Sequence, residues 1–141
     1  MNSLTLPGTL EALEPIRTYV EAAAAQTGLD KKRVYRLTLA VDEIVSNSII
    51  HGYEETGLTG DVIIRVDLQP DALTVYAEDQ APPYNPLAKD PPTNLGASLE
   101  ERDIGGLGVF LAVKNVDEFR YEYTQGRNRN IFVMKLNQKV S

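Results

Sequence analysis

The stretch Leu39-Ala-Val-Asp-Glu-Ile-Val-Ser-Asn-Ser-Ile-Ile-His-Gly52 decides how the rest of the chain is arranged. It forms the second half of a segment, from about Lys31 to His51, whose apolar residues recur at the three-and-four spacing of a helix packed on a core. The pattern therefore predicts one long central helix with most of its circumference buried. The apolar residues that carry this spacing are Val34, Leu37, Val41, Ile44, Val45 and Ile49.

Two polar residues of this helix, Glu43 and Asn47, are four positions apart, so they stack one turn above the other on the same face. A carboxylate and a carboxamide on a mostly apolar helix are costly to bury without partners. A helix cap or an exposed polar stripe is the alternative interpretation of such a pair. Because apolar residues wrap most of this helix, we favour a functional site.

Composition limits the classes of function that the chain can serve. Its 141 residues predict a single domain over residues 1–141, and its net charge of −6 argues against non-specific binding to nucleic acid or to an anionic membrane. The absence of cysteine and the single histidine exclude a thiolate metal site and an imidazole cluster. No apolar run approaches the ~20 residues of a membrane span, and the N-terminus lacks a signal pattern. We therefore expect a cytoplasmic protein.

The order of the remaining elements predicts the fold class. Apolar periodicity and turn residues indicate a strand, two helices, two strands, a long irregular segment, a helix and two strands. This order predicts an α+β two-layer sandwich, in which helices cover one face of a mixed, mostly antiparallel sheet. Thr9 is the expected cap of the first helix and Asp30 that of the central helix. The expected strands span Ser3–Leu6, Asp61–Leu68, Ala72–Glu78, Glu118–Thr124 and Asn130–Leu136, and the flanking helices Leu10–Gln26 and Gly105–Asn115.

An irregular segment follows Asp79, which stands at the end of an apolar strand. The sequence Asp79-Gln-Ala-Pro-Pro-Tyr-Asn-Pro86 has too many prolines for a helix or strand interior. A connection that continues to Ile104 is usually a lid, a binding loop or disordered. The carboxylate of Asp79 can accept a hydrogen bond from an exocyclic amine, although a turn aspartate at a strand end is the alternative.

The glycine-rich run Gly105-Gly-Leu-Gly108 opens the third predicted helix. Closely spaced glycines let backbone N–H groups approach an anion, and the helix dipole favours negative charge at this end. A flexible turn with close helix packing is the alternative, and the run lacks the Lys-Ser/Thr ending of a P-loop. Together with Glu43, Asn47 and Asp79, this run can converge at the open end of the sandwich.

These motifs resemble the GHKL (Bergerat-fold) ATP-binding class. Asp42-Glu43-x-x-x-Asn47-x-x-x-His51-Gly52 resembles its N-box, Asp79-Gln-Ala-Pro-Pro83 stands at its first glycine box, and Ile104-Gly-Gly-Leu-Gly-Val-Phe-Leu111 resembles its second. The resemblance runs in the right order from about residue 30 to 136. Within the class, Ala81-Pro-Pro-Tyr-Asn-Pro-Leu87 and Gly126-Arg-Asn128 resemble the RsbW/SpoIIAB-type anti-sigma-factor serine kinases.

The resemblance implies ATP and Mg²⁺ as cofactors and assigns a role to each motif. Asn47 would bind the metal, Glu43 would orient or deprotonate the nucleophile, and Asp79 would bind the adenine amino group. Residues 86–104 would form a lid over the ATP, and Arg102 could reach a phosphate, with a solvated lid arginine as the favoured alternative. The residues implied to line the nucleotide are Asn47, His51, Asp79, Ala81, Pro83, Gly105, Gly106, Leu107, Gly108 and Val109.

The sequence departs from this class at two places. Ala81 replaces the usual glycine of the first box, with Pro82-Pro83 stiffening the turn, and residues 127–130 lack the hydroxyl that many relatives place near adenine.

The leading hypothesis is a Mg·ATP-dependent serine/threonine kinase that phosphorylates a STAS-type anti-anti-sigma partner and binds a sigma factor. The resemblance also implies a homodimer. The alternatives are a non-catalytic ATP-binding module that sequesters a partner protein, and a slow ATPase.

Overall fold

In the described residues, five strands form one sheet in which every neighbouring pair runs antiparallel. The computed structural model describes residues 3–88 and 104–136, with the side chains of 88 and 104–107 left out. Across this part of the chain the strand order is β1-β2-β3-β5-β4. The α+β class is confirmed, and the sheet is wholly antiparallel rather than mixed. The strands are β1 (Leu4–Pro7), β2 (Asp61–Gln69), β3 (Ala72–Asp79), β4 (Glu118–Thr124) and β5 (Arg127–Lys135).

Three α-helices in the described residues cover one face of this sheet. They are α1 (Leu13–Ala24), α2 (Lys31–Asn47) and α3 (Ile104–Lys114). The middle helix, α2, packs against both of the others and against the sheet, and its apolar face is fully buried at Leu37, Ile44 and Val45. Burial of apolar area, at roughly 25 cal/mol per Å², is what holds α2 at the centre. None of the helices in this part of the chain is long and apolar enough to cross a membrane.

The two ends of α2 differ in how closely they follow the sequence pattern. At its start, the side chain of Asp30 accepts a hydrogen bond of 2.8 Å from Arg33 N, so the predicted cap is confirmed. At its end, the predicted boundary at His51 is wrong, because the α-helix stops at Asn47 and a π-helical turn (Ser48–Glu54) follows. The hydrogen bond of 2.8 Å from Glu55 N to Ile50 O shows the wider spacing. Such turns are frequent at functional sites.

Other boundaries also differ from the sequence prediction. The first helix begins as a 3₁₀ turn over Leu10–Ala12, and Thr9 lies at its N-cap position as predicted, although the Thr9 side chain makes no capping hydrogen bond. β5 begins at Arg127, three residues earlier than predicted. The two-residue turn before it has positive φ at Gln125 (54°) and Gly126 (76°), which is the geometry of a tight hairpin. Of the predicted lid, residues 89–103 lie outside the described part of the chain.

Tyr53 ties the π-helical turn to the ends of β2 and β3. Its buried hydroxyl donates to Asp61 O and accepts from Gln80 N, each at 2.8 Å. Its ring is packed so closely that a Cβ on Gly8 would lie 2.3 Å from Cε2 of the ring. Because Gln80 directly follows Asp79, these bonds fix the position at which β3 ends.

We expect Tyr53→Phe to lower the free energy of unfolding by about 1 kcal/mol, because the hydrogen bonds of the hydroxyl to Asp61 O and Gln80 N would be lost. Urea unfolding measures the change. The matched control is Tyr35→Phe on α2, since Tyr35 is 63% exposed and its hydroxyl faces solvent. Equal stabilities for the two variants would show that the Tyr53 bridge adds nothing.

Candidate functional site

Asp79 is the last residue of β3 and is only 3% exposed. Its Oδ1 accepts hydrogen bonds from Asn128 Nδ2 at 2.8 Å and from Ala81 N at 3.0 Å. Burial raises the pKa of this carboxyl, while the bonds from Asn128 and Ala81 and the nearby Ser48 hydroxyl oppose the rise. The sheet therefore ends in a buried carboxylate stabilised by neutral donors.

Asn128, directly opposite Asp79 on β5, is a site residue that sequence reasoning missed. The sequence pattern placed Asn128 in a motif that resembles the anti-sigma-factor kinases and showed that residues 127–130 lack a hydroxyl, but it assigned Asn128 no role. A signal for it does exist, since Asn128 and Asn130 are in phase with Phe132 and Met134, the buried residues that face the helices. Polar residues in an inward phase are costly unless bonded, which marks this strand end as functional.

Ala81 fits the position of the usual glycine because a glycine lies opposite it. A Cβ added to Gly52, in the π-helical turn, would lie only 2.7 Å from the Cβ of Ala81. The methyl group of Ala81 is buried in the space that Gly52 leaves, and Pro83 is exposed to solvent. The altered first box is thus compensated within the π-helical turn, and Ala81 N still bonds to Asp79.

Glu43 and Asn47 lie one turn apart on α2, beside the start of α3. Burial raises the pKa of Glu43, with the adjacent Asn47 amide lowering it and the charge of Asp42 adding to the rise. The amide of Asn47 is buried, and its Nδ2 has no hydrogen-bond partner among the described residues. A Cβ on Gly108 would lie 2.4 Å from Oε2 of Glu43. Glycine at 108 therefore leaves room for the carboxylate.

The glycine-rich run lies in the first turns of α3, in agreement with the expected helix Gly105–Asn115. Gly105 and Gly106 belong to the first turn of the helix, where N–H groups have no intrahelical acceptor and can bind an anion. Gly108 is beyond that turn. The side chain of Val109 is buried in the core, so its contribution is packing. The side chain of Leu107 and all of Arg102 lie outside the described part.

His51 lies at the rim of this region. Its ring stacks on Tyr84 with centroids 5.5 Å apart, and its Nδ1 pairs with Oε1 of Glu55 at 2.8 Å. Tyr84 N donates in turn to Oδ1 of Asn128 at 2.9 Å. His51 is therefore connected to the Asp79 region through the loop that follows β3.

The structure brings the separate motifs together along the end of α2. Gly108 adjoins Glu43, Glu43 adjoins Asn47, and the following residue, Ser48, lies beside Asp79. In the described residues no group of three His, Cys, Asp or Glu could hold a metal. The buried amide of Asn47 fits a Mg²⁺ ion that takes one protein oxygen and completes its shell with phosphate and water.

Comparison with known proteins gives a family match. Residues 6–136 match the family described as "Histidine kinase-like ATPase domain". A serine-protein kinase RsbW from Listeria innocua is 25% identical over 127 residues, covering 88% of this chain and 80% of the relative. The RsbW kinase of Bacillus licheniformis is 26% identical over 125 residues, covering 85% and 76%. An anti-sigma F factor from Thermoanaerobacter sp. is 29% identical over 119 residues, covering 84% and 81%.

A solved structure supports the fold. The RsbU and RsbW domains of Rv1364c from Mycobacterium tuberculosis superpose with a TM-score of 0.65 at 17% identity, covering 99% of this chain. The chain spans 34% of that longer protein. At this identity the likeness concerns the fold alone.

Gly108→Ala tests the contact between α3 and Glu43. Helix propensity alone would stabilise the protein by about 1 kcal/mol, but the new methyl group would have to displace the Glu43 carboxylate, so we expect a smaller gain than this. In a Glu43→Ala background the obstruction is gone, and the same change should stabilise by about 0.5–1 kcal/mol. Thermal unfolding of the four proteins measures the cycle, and an equal effect in both backgrounds would contradict the contact.

The raised pKa of Glu43 predicts a pH dependence of stability. Below the ordinary value of 4.5 the carboxyl is neutral in both the folded and the unfolded chain, so it adds no penalty. As pH rises through the higher folded pKa, ionisation favours the unfolded chain, and stability is lost. The stability of Glu43→Gln relative to the parent should therefore increase between pH 4 and 7. Denaturant unfolding measures this, and a flat or falling difference would contradict the burial of the charge.

Proposed function

Because the chain belongs to the histidine kinase-like ATPase family, we propose that it binds Mg·ATP and transfers the γ-phosphate to a serine or threonine of a partner protein. The observation that carries the proposal is the juxtaposition of Glu43 and Asn47 on α2 with the buried carboxylate of Asp79, through Ser48. Relatives at 25% and 29% identity are a serine-protein kinase and an anti-sigma factor.

Asp79 is the residue proposed to recognise adenine. A buried carboxylate offers a charged acceptor to an exocyclic amino group, and hydrogen bonds to charged groups are about twice as strong as neutral ones. The donors that already hold Oδ1 are neutral, so they keep the negative charge in place without cancelling it. This chemistry favours adenine, whose amino group donates, over guanine, which has a carbonyl at the same position.

Gly105, Gly106 and Asn47 are the groups proposed to hold the phosphates. The N–H groups in the first turn of α3 would bind the phosphates, because the positive end of the helix dipole favours negative charge there. Asn47 would bind Mg²⁺ through its amide oxygen, since oxygen is the ligand atom that this hard cation prefers. The metal would supply neutralisation of the charge that develops on the transferred phosphoryl group.

Glu43 is the proposed general base. The hydroxyl of the substrate serine or threonine would donate its proton to the Glu43 carboxylate as its oxygen attacks the γ-phosphorus, and ADP would leave. Burial raises the pKa of Glu43, and a carboxylate of raised pKa is a stronger proton acceptor. The Asn47 amide one turn away holds the side chain on the face that also carries the metal ligand.

The proposed partners are a STAS-type anti-anti-sigma protein as substrate and a sigma factor as competing ligand, with this chain acting as a homodimer. The relative called an anti-sigma F factor supports the sigma-factor part. Labelled ATP with a candidate STAS protein tests the proposal, because label should appear on that protein. Label that stays on ATP, or appears only as free phosphate, would contradict kinase activity.

One observation favours a second function, a non-catalytic ATP-binding module that sequesters its partner. The Glu43 carboxylate lies against Gly108 of α3, a packing contact that would give Glu43 a structural role. ATP binding without any transfer or hydrolysis in the labelling experiment would select this module over the kinase.

Glu43→Gln separates chemistry from binding. The amide keeps the size of the side chain but cannot accept the proton, so we expect phosphoryl transfer to fall ~10²–10⁴-fold with Mg·ATP affinity nearly unchanged. Transfer rate and calorimetric affinity are measured on the same preparation. Transfer at the parental rate would make Glu43 a structural residue.

Asn47→Ala is the matched comparison on the same helix face. Loss of the proposed metal ligand should weaken Mg·ATP binding and transfer together, while binding of ATP in the presence of EDTA should change little. A variant that binds Mg·ATP as well as the parent would remove Asn47 from the metal site.

A further inference from the structure

The side chain of Asn128 is a junction between three elements at the end of the sheet. Its Nδ2 donates to Asp79 Oδ1 at 2.8 Å and also lies within hydrogen-bond distance of two loop carbonyls, Ala81 O at 3.1 Å and Pro82 O at 3.0 Å. Its Oδ1 accepts from Tyr84 N at 2.9 Å and from the hydroxyl of Tyr121 on β4. One amide thus connects β3, the loop after it, and β4.

These bonds allow only one orientation of the amide. The residue is only 2% exposed, so water cannot replace a missing partner. A flipped amide would place its NH₂ group against the N–H of Tyr84 and its oxygen against the carboxylate of Asp79 and two carbonyls. Each of those contacts is repulsive, and a buried polar group without a partner costs about 1–3 kcal/mol.

The fixed amide also orients Asp79. The bonds from Asn128 and from Ala81 N both end on Oδ1, Oδ2 carries neither of them, and the Ser48 hydroxyl is a third neutral donor to the carboxylate. We propose that Asn128 is a positioning residue for Asp79. It keeps Oδ1 of Asp79 bonded to the protein and orients Oδ2 toward the base. It thereby sets the preference for a 6-aminopurine. This inference rests on the proposed function, since it deepens the role given there to Asp79.

The groups around Asp79 leave its charge available to a base. Tyr53 from the π-helical turn and Tyr121 from β4 face it, and burial raises the pKa of both phenols, so they stay neutral at working pH. Glu78 points to the opposite face of the sheet, where it pairs with Arg127 and Arg129. Among the described residues, the donors that bond to the carboxylate are all neutral, and Asn128 is the one that comes from the neighbouring strand.

The first experiment is a double-variant cycle. Asn128→Leu keeps the shape of the side chain but removes its donor and acceptor. ATP affinity should fall about tenfold, the worth of one hydrogen bond to a charged group. Affinity for purine riboside 5′-triphosphate, which lacks the amino group, should stay within about twofold. In an Asp79→Asn background, Asn128→Leu should cause no further loss of ATP affinity, because residues that act through one another are not additive.

A milder pair of variants keeps the test decisive if Asn128→Leu does not fold. Tyr121→Phe removes a single donor to Oδ1 of Asn128 and should reduce the ratio of ATP to purine riboside triphosphate affinity by about threefold, a fraction of one hydrogen bond. Tyr123→Phe is the control, because Tyr123 is on the same strand but 45% exposed. It should leave the ratio at the parental value.

The outcomes separate this inference from the proposed function. A parent protein that binds no ATP, or binds it no better than purine riboside triphosphate, would overturn the proposed adenine site itself. A parent that discriminates, with Asn128→Leu or Tyr121→Phe retaining the full discrimination, would overturn only the role of Asn128. Equal loss of both nucleotides, or additive losses with Asp79→Asn, would likewise reduce Asn128 to a structural residue.

Discussion

The hydrogen bond from Asn128 Nδ2 to Asp79 Oδ1 joins the ends of two neighbouring strands at a place where a carboxylate is almost completely buried. An ionised group in such a place is tolerated only when donors surround it. Much of the local structure places donors around this carboxylate and leaves space for them. Ala81 N comes from the loop after β3, the Ser48 hydroxyl from the π-helical turn, and Tyr53 fixes the strand end.

The same constraint explains why glycines lie where they do around α2. Gly52 leaves room for the methyl group of Ala81, and Gly108 leaves room for the carboxylate of Glu43. Neither has a positive φ, so their value is the absence of a Cβ rather than backbone freedom. The glycines of the run in α3 therefore have two different roles. Gly105 and Gly106 lie in the first turn, where they are proposed to bind an anion, whereas Gly108 permits close packing against α2.

Much of the fold could be predicted from local patterns, and the failures have physical causes. The spacing of apolar residues in α2 and the cap at Asp30 are local properties, so both were predicted correctly. The π-helical turn was missed because a change from 3.6 to wider spacing over seven residues hardly alters an apolar pattern. The early start of β5 was missed because Arg-Asn-Arg-Asn has low strand propensity, and its pairing with β3 supplies the missing stability.

The site shows the same division between local and long-range information. Glu43, Asn47 and Asp79 were singled out because each is a polar residue in an apolar context within its own segment. Asn128 becomes a site residue only because the strand register places it beside Asp79, which is 49 positions away in the sequence. The accommodation of Ala81 likewise depends on Gly52 in another element. Contacts of this kind are tertiary, and a single sequence does not reveal them.

The central claim is that the buried carboxylate of Asp79 is the adenine-binding group, and a crystal structure with Mg·ADP tests it most directly. The account predicts the purine amino nitrogen within about 3 Å of Asp79 Oδ2, with Oδ1 still bonded to Asn128 and Ala81 N. A purine bound elsewhere, or an Asp79 carboxylate that makes no contact with the base, would contradict it.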